Sequence, residues 1–368
     1  MAATLIGFTG MVLRAQPPER FPLISLWDSV FTVRSGGGYK DNVFLSHAQP
    51  QASTFVSGGG DVMVLRVAPA GPQFNFFASA DATHFLSTTP SHNEYTAFAQ
   101  AQVEQNFSEA LKASLAAEYF YQDQVLDVSF LDAAASSTNG QTAAVRGHNF
   151  TIRPGTRWVL PQQFWLALET PGTRQYFELP LDDYWNAGFK LTVGRNHGHD
   201  SQLSLSYEPT WRFYDTETAL TATGAPIPGT HRQRLQHNAQ LLWRQYWDEP
   251  KHWRTLTRLG GRLAEENGGG FADYTQYAVS QQILYRAKPW ELSAEGRIRR
   301  YDYRTQTVSA TDLAKLRRTE WTATLRLERE LTKHLKLITS YEHEETLSND
   351  TSETYSVNTV GGSLQWEF

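Results

Sequence analysis

Apolar and polar residues alternate one for one through most of this 368-residue chain, and that period of two constrains its fold more than any other feature. Trp185, Ala187, Phe189, Leu191 and Val193 alternate with Asn186, Gly188, Lys190, Thr192 and Gly194. Leu203, Leu205, Tyr207, Trp211 and Phe213 alternate with Gln202, Ser204, Ser206, Glu208, Thr210 and Arg212. Successive side chains of an extended strand point to opposite faces, so each segment presents one apolar and one polar wall. No helical period competes in these windows. The chain is all-β.

Strand-like segments lie near 25–38, 54–68, 73–86, 94–107, 111–127, 144–158, 163–177, 183–195, 201–215, 232–247, 253–265, 271–286, 290–304, 317–330, 334–346 and 355–368. That count of sixteen allows roughly 22 residues for each strand and its connection, a length that suits tilted membrane strands. Fourteen or eighteen strands are the alternatives. The connections fall into two sets: short turns such as Glu249-Pro250-Lys251 and Lys288-Pro289 follow even strands, and longer Ser-, Thr-, Gly- and Asn-rich segments, Asp132 to Thr142 and Thr216 to Thr230 among them, follow odd ones. Short turns on one side and longer loops on the other, with both termini on the short-turn side, are expected of an antiparallel, up-and-down transmembrane β-barrel.

Composition agrees. Charged residues are 19% and aromatic residues 13%, and the mean hydropathy of −0.47 is no obstacle, because a barrel strand averages a lipid-facing and a water-facing row. No run of ~18 apolar residues offers a helical span. The absence of cysteine excludes disulfides, thiolate metal sites and a cysteine nucleophile. Net charge is −5 without a polybasic block, so nucleic acid is not an expected partner. Residues 1–150 carry 7 Lys/Arg against 12 Asp/Glu, and the remainder carries 26 of each. At the front, the apolar run Ala3 to Leu13, ending in Leu13-Arg14-Ala15-Gln16, reads as a signal peptide over 1–15 whose basic start is missing. Residues 16–368 then form a single barrel domain.

The chain closes on Ser363-Leu364-Gln365-Trp366-Glu367-Phe368, with Leu364, Trp366 and Phe368 on one face. This resembles the final strand of bacterial outer-membrane β-barrels, in which a terminal aromatic with another two positions earlier marks the chain for the barrel-assembly machinery. Gly38 to Ser46 (Gly-Tyr-Lys-Asp-Asn-Val-Phe-Leu-Ser) is similar to the first hairpin of a broad set of such barrels, some of which accompany exopolysaccharide synthesis. The resemblance implies outer-membrane lipid as surroundings and a porin-like role.

A sixteen-stranded barrel is wide enough to hold an aqueous lumen. Parity places Arg212, Arg234, Arg254, Arg258, Arg262, Arg297, Arg299, Arg326 and Lys336 on its inner face, with Glu295, Glu328 and Glu342. Arg254, Arg258 and Arg262 recur every four residues, as a ladder up one wall. Such a set either selects polar or anionic solutes or forms a mutually neutralising lattice that keeps the lumen wet; both readings stand. Inward aromatics, among them Phe98, Phe120, Trp165, Tyr246, Tyr274 and Tyr301, either stack on sugar rings or fill space. His197-Gly198-His199-Asp200 reads as a solvated turn rather than a metal site. No cofactor is implied. Ser46-His47 and Ser91-His92 are sequence neighbours that point to opposite faces, so no nucleophile-base pair is expected and the chain is not read as an enzyme. The expected function is a water-filled pore for small hydrophilic solutes or for polysaccharide export. The alternatives are a non-transporting structural or receptor barrel and, as an outsider, an outer-membrane hydrolase.

Overall fold

The computed structural model describes residues 27–66, 71–88, 92–127, 142–178, 181–198, 200–309 and 311–368. The proposed signal peptide and the third long connection, from Leu131 to Ala143, lie outside these residues or at their margin. Eighteen ladder segments make one closed antiparallel sheet. Its seam is the pairing of β1 (Trp27–Lys40) with β18 (Tyr355–Glu367), which runs from Thr32↔Glu367 to Lys40↔Thr359. Between them come β2 (Ser53–Arg66), β3 (Gln73–Phe85), β4 (His92–Asn106), β5 (Leu111–Asp127), β6 (Thr142–Val159), β7 (Phe164–Glu169), β8 (Gly172–Phe177), β9 (Tyr184–Gly188), β10 (Lys190–His197), β11 (Ser201–Tyr214), β12 (Gln233–Tyr246), β13 (Trp253–Glu266), β14 (Tyr274–Ala287), β15 (Trp290–Thr307), β16 (Lys315–Glu330) and β17 (Leu335–Ser348). Both β7 and β8 pair with β6, and both β9 and β10 pair with β11, so each couple is one interrupted stave. The barrel therefore has sixteen staves.

Proline explains the interruptions. Pro171 separates β7 from β8, Pro154 lies opposite on β6, and Pro209 faces the break between β9 and β10. A proline has no N–H for the ladder, so regular pairing stops locally. The adjoining amides turn to proline carbonyls instead: Thr170 N donates to Pro154 O at 3.0 Å, Gly188 N to Pro171 O at 3.2 Å and Phe189 N to Pro209 O at 3.3 Å. The sequence reading of two unbroken strands over 163–177 and 183–195 missed this kink.

The outer wall is apolar. Phe31, Val33, Ile152, Leu191, Val193, Leu205, Val279, Ile298, Leu325, Val360 and Leu364 are all exposed, an arrangement that costs free energy in water and is favourable against acyl chains. Trp253, Trp290, Trp366 and Phe368 stand near the short-turn rim, where amphipathic rings prefer the lipid–water interface. Among the described residues no helix is long and apolar enough to cross a membrane. The strands do the crossing.

At the long-loop rim the connection from Asp41 to Ala52 folds inward. Its Val43 and Leu45 are buried, and Leu45 packs on Tyr355 and Val357, which belong to the inner face of β18. Asn42 pins the fold: its side-chain amide donates to Ser46 O (2.9 Å) and Ser356 O (3.2 Å), and its carbonyl accepts from Ser46 N (2.9 Å). Phe44 reaches His92 on β4, with ring centroids 5.5 Å apart.

Candidate pore lining

The register fixes which residues share the inner wall, because the exposed apolar row marks the other one. On β13 the inner residues include Arg254, Arg258 and Arg262, as the four-residue spacing requires of an extended strand. Arg254 donates to Gln282 Oε1 at 3.0 Å and Arg262 to Asn238 Oδ1 at 2.6 Å. Arg258 stands 3.9 Å from Glu295 Oε1, and Arg297 donates to that same oxygen at 3.0 Å. Gln282 reaches the other Glu295 oxygen at 3.3 Å. One carboxylate therefore serves two guanidinium groups directly and a third through an amide.

The neighbouring sector is balanced. Arg299 lies 3.3 Å from Glu320, Arg326 donates to Glu328 at 2.8 Å, and Lys336 is 3.8 Å from Glu367. Glu342 faces inward between Thr324 and Thr359. Arg212 donates to Asn186 at 3.1 Å and stacks 4.2 Å over Tyr184. The lattice reading describes β15 to β17 well, whereas Arg258 and, through Gln282, Arg254 on β13 lean on the one carboxylate of Glu295. Elsewhere, Arg34 on β1 bridges Asp61 and Asp81, Lys112 pairs with Glu104 and Arg153 with Glu118, so that arc is close to neutral.

Arg234 occupies a different situation from the open lining. It faces inward but is only 1% exposed, because the loop from Asn267 to Asp273 closes over it: its Nη2 donates to Ala272 O at 3.1 Å and its guanidinium lies 5.7 Å over Tyr274. Arg232, equally buried, anchors the roof from the adjacent loop, 2.7 Å from Glu217 and 3.1 Å from Glu266. Burial lifts the Glu217 carboxyl above its ordinary range despite Arg232 beside it. These two loops lock together: Leu220 is buried against the backbone of Gly268 and Gly269, where a Cβ would collide. Sequence parity could not foresee a roof, since it reports a direction and not what lies above.

Several of the inward aromatics are packed into the wall. Trp165 is 6% exposed, sandwiched between Arg157 (4.1 Å) and Gly194, whose missing side chain makes room for the indole. Tyr274 is 3% exposed against Tyr301 and Tyr303, and Tyr301 accepts a hydrogen bond from Gln276 at 2.9 Å. Phe98 and Phe120 are opposite each other on β4 and β5, and Tyr246 faces Arg254. The space-filling reading fits Trp165, Tyr274 and Tyr301, while Phe98, Phe120 and Tyr246 are half-buried on the inner face. In the His197 turn, His197 bonds to Gln245 and Asp200 to Lys251; His199 lies outside the described residues, among which no metal-binding group is found.

At the sequence level no family model and no curated protein matches the chain. Solved structures do. OccAB1 of Acinetobacter baumannii superposes with a TM-score of 0.51 at 8% identity, over 93% of this chain and 96% of that one. The fold is that of an outer-membrane β-barrel. OccAB4 of the same organism gives 0.50 at 10% identity, over 92% and 98%. The barrel fold is thus shared over most of both chains.

Sequence reasoning missed Arg34, Asp61 and Asp81, the buried pair Arg318 and Glu320 on β16, 3.7 Å apart, and the inward fold of Asp41 to Ala52. The apolar Val43 and Leu45 beside Asp41-Asn42, inside a long connection, were the available sign of that fold.

Proposed function

We propose that this protein is a water-filled outer-membrane pore for small hydrophilic solutes, with a preference for anions. The arginine ladder of β13 carries the reading. Arg258 and, through Gln282, Arg254 lean on Glu295, which also accepts from Arg297, and the ladder thereby turns positive charge toward the lumen. A low-dielectric wall focuses such a field and raises the local concentration of the opposite ion. Guanidinium groups stay charged at every physiological pH and offer paired donors to carboxylates and phosphates.

The test compares solutes of similar size and opposite charge in proteoliposome swelling. Gluconate is expected to enter faster than glucosamine, and the difference is expected to shrink in Arg258→Gln. Equal rates for the two solutes, unaffected by the substitution, contradict the preference. A second reading, a closed structural or receptor barrel, draws on the inward fold of Asp41 to Ala52 and the interlocked roof over Arg234. It predicts no swelling with any solute.

A further inference from the structure

We propose that the outer wall holds a phospholipid-binding cleft at the short-turn rim, in which Arg195 takes the phosphodiester of a glycerophospholipid and an acyl chain lies along Leu203 and Trp243. The inference rests on the membrane reading of the barrel and on the short turns facing the phospholipid leaflet.

Phe164, Arg195, Leu203 and Trp243 are direct register neighbours across β7, β10, β11 and β12. With His197, three of them line a cleft of about 420 Å³ on the outer wall. Arg195 is exposed and lies 5.1 Å from the centre of the Phe164 ring. One residue pair closer to the rim the surface turns polar: His197 Nε2 and Gln245 Oε1 are 3.1 Å apart, bridging β11 above a fully buried Ser201. The cleft therefore grades from polar at the rim to apolar toward mid-membrane, as a phospholipid does.

The charge of Arg195 distinguishes it from the arginines at the opposite rim. Arg146, Arg174, Arg300, Arg304 and Arg317 also belong to the outer wall, and each has a carboxylate within 3.6 Å. Among the described residues Arg195 has none. A guanidinium facing lipid needs a counter-charge or water, and two residues from a strand end it meets the headgroup layer, where a phosphodiester supplies that charge with matching two-pronged geometry. Trp243 in the same row is the interfacial residue type that fixes this depth.

The test titrates folded protein in dodecyl maltoside with dioleoyl-phosphatidylglycerol, with dioleoyl-phosphatidylethanolamine and, separately, with inorganic phosphate, and reads adducts by native mass spectrometry. Both lipids are expected to bind and free phosphate is not. Arg195→Gln is expected to weaken binding of the first lipid about tenfold, the scale of one charge-assisted contact, while Arg300→Gln at the other rim leaves it unchanged. Equal lipid binding by wild type and Arg195→Gln, or phosphate binding as tight as lipid binding, overturns the proposal. Each sample is also run on a gel in dodecyl sulfate with and without boiling. A protein whose mobility does not respond to heat sinks the membrane reading itself; a heat-modifiable barrel without Arg195 dependence sinks only the cleft. Should Arg195→Gln fail to fold, Arg195→Lys keeps the charge and loses the fork: a loss of about threefold supports the site, and no loss overturns it.

Discussion

At the scale of single residues, this barrel is decided by how the inner wall shares its charge and by where it leaves no room. Removing Arg258 or Arg297 takes one of the two guanidinium groups from Glu295. Either substitution by Gln is expected to lower the anion-to-cation permeability ratio roughly twofold to fivefold while leaving the barrel folded, since Glu295 keeps the other guanidinium and Gln282 as partners. Ion selectivity of the purified variants checks this, and unchanged selectivity would leave the ladder a structural lattice. Gly38 is a stability position: a Cβ there would meet the Phe55 ring at 2.5 Å and the β18 backbone closer still. Gly38→Val is expected to destabilise by about 1–3 kcal/mol, as overpacking commonly does, measured as a lower temperature for the heat-induced gel shift. The ladder was legible because Arg254, Arg258 and Arg262 hold one parity inside an otherwise apolar-alternating strand. Arg34, Asp61 and Asp81 were not, because Gly36 to Gly38 and Gly58 to Gly60 are small on both faces and erase the signal that tells inside from outside.

At the scale of elements, the closing strand and the first long connection carry the tests. Phe368 N donates to Phe31 O at 2.9 Å and the two rings stand 5.9 Å apart, so the last residue fastens the seam between β1 and β18. Deleting Phe368 is expected to lower the yield of heat-modifiable barrel in the outer membrane several-fold, both by loosening the seam and by removing the assembly signal that the terminal aromatic resembles. A yield equal to wild type would contradict both roles. Asn42 makes three hydrogen bonds in the inward-folded connection; Asn42→Ala leaves buried backbone groups without partners at about 1–3 kcal/mol. Hydrogen exchange across 41–51 is expected to accelerate while the strands stay protected. The strands themselves were readable to within a few residues, since period two is a local property. The kinks at Pro154, Pro171 and Pro209 were not, because they depend on prolines of separate strands meeting across the ladder. Neither was the roof over Arg234, which two connections distant in sequence build together.

At the scale of the whole molecule, sixteen staves, an apolar exterior and a charged interior make the membrane the only surroundings in which every surface is satisfied. The count of sixteen strands was legible in the sequence, because each period-two segment ends where the chain reverses. What passes through depends on how far the inward-folded connections narrow the lumen, a property of packing that no periodicity encodes. Planar-bilayer recording of the purified, heat-modifiable protein under a potassium chloride gradient addresses the central claim most directly. Discrete conductance steps with a zero-current potential on the chloride side are predicted, and the absence of steps, or a potential on the potassium side, would contradict an anion-favouring pore.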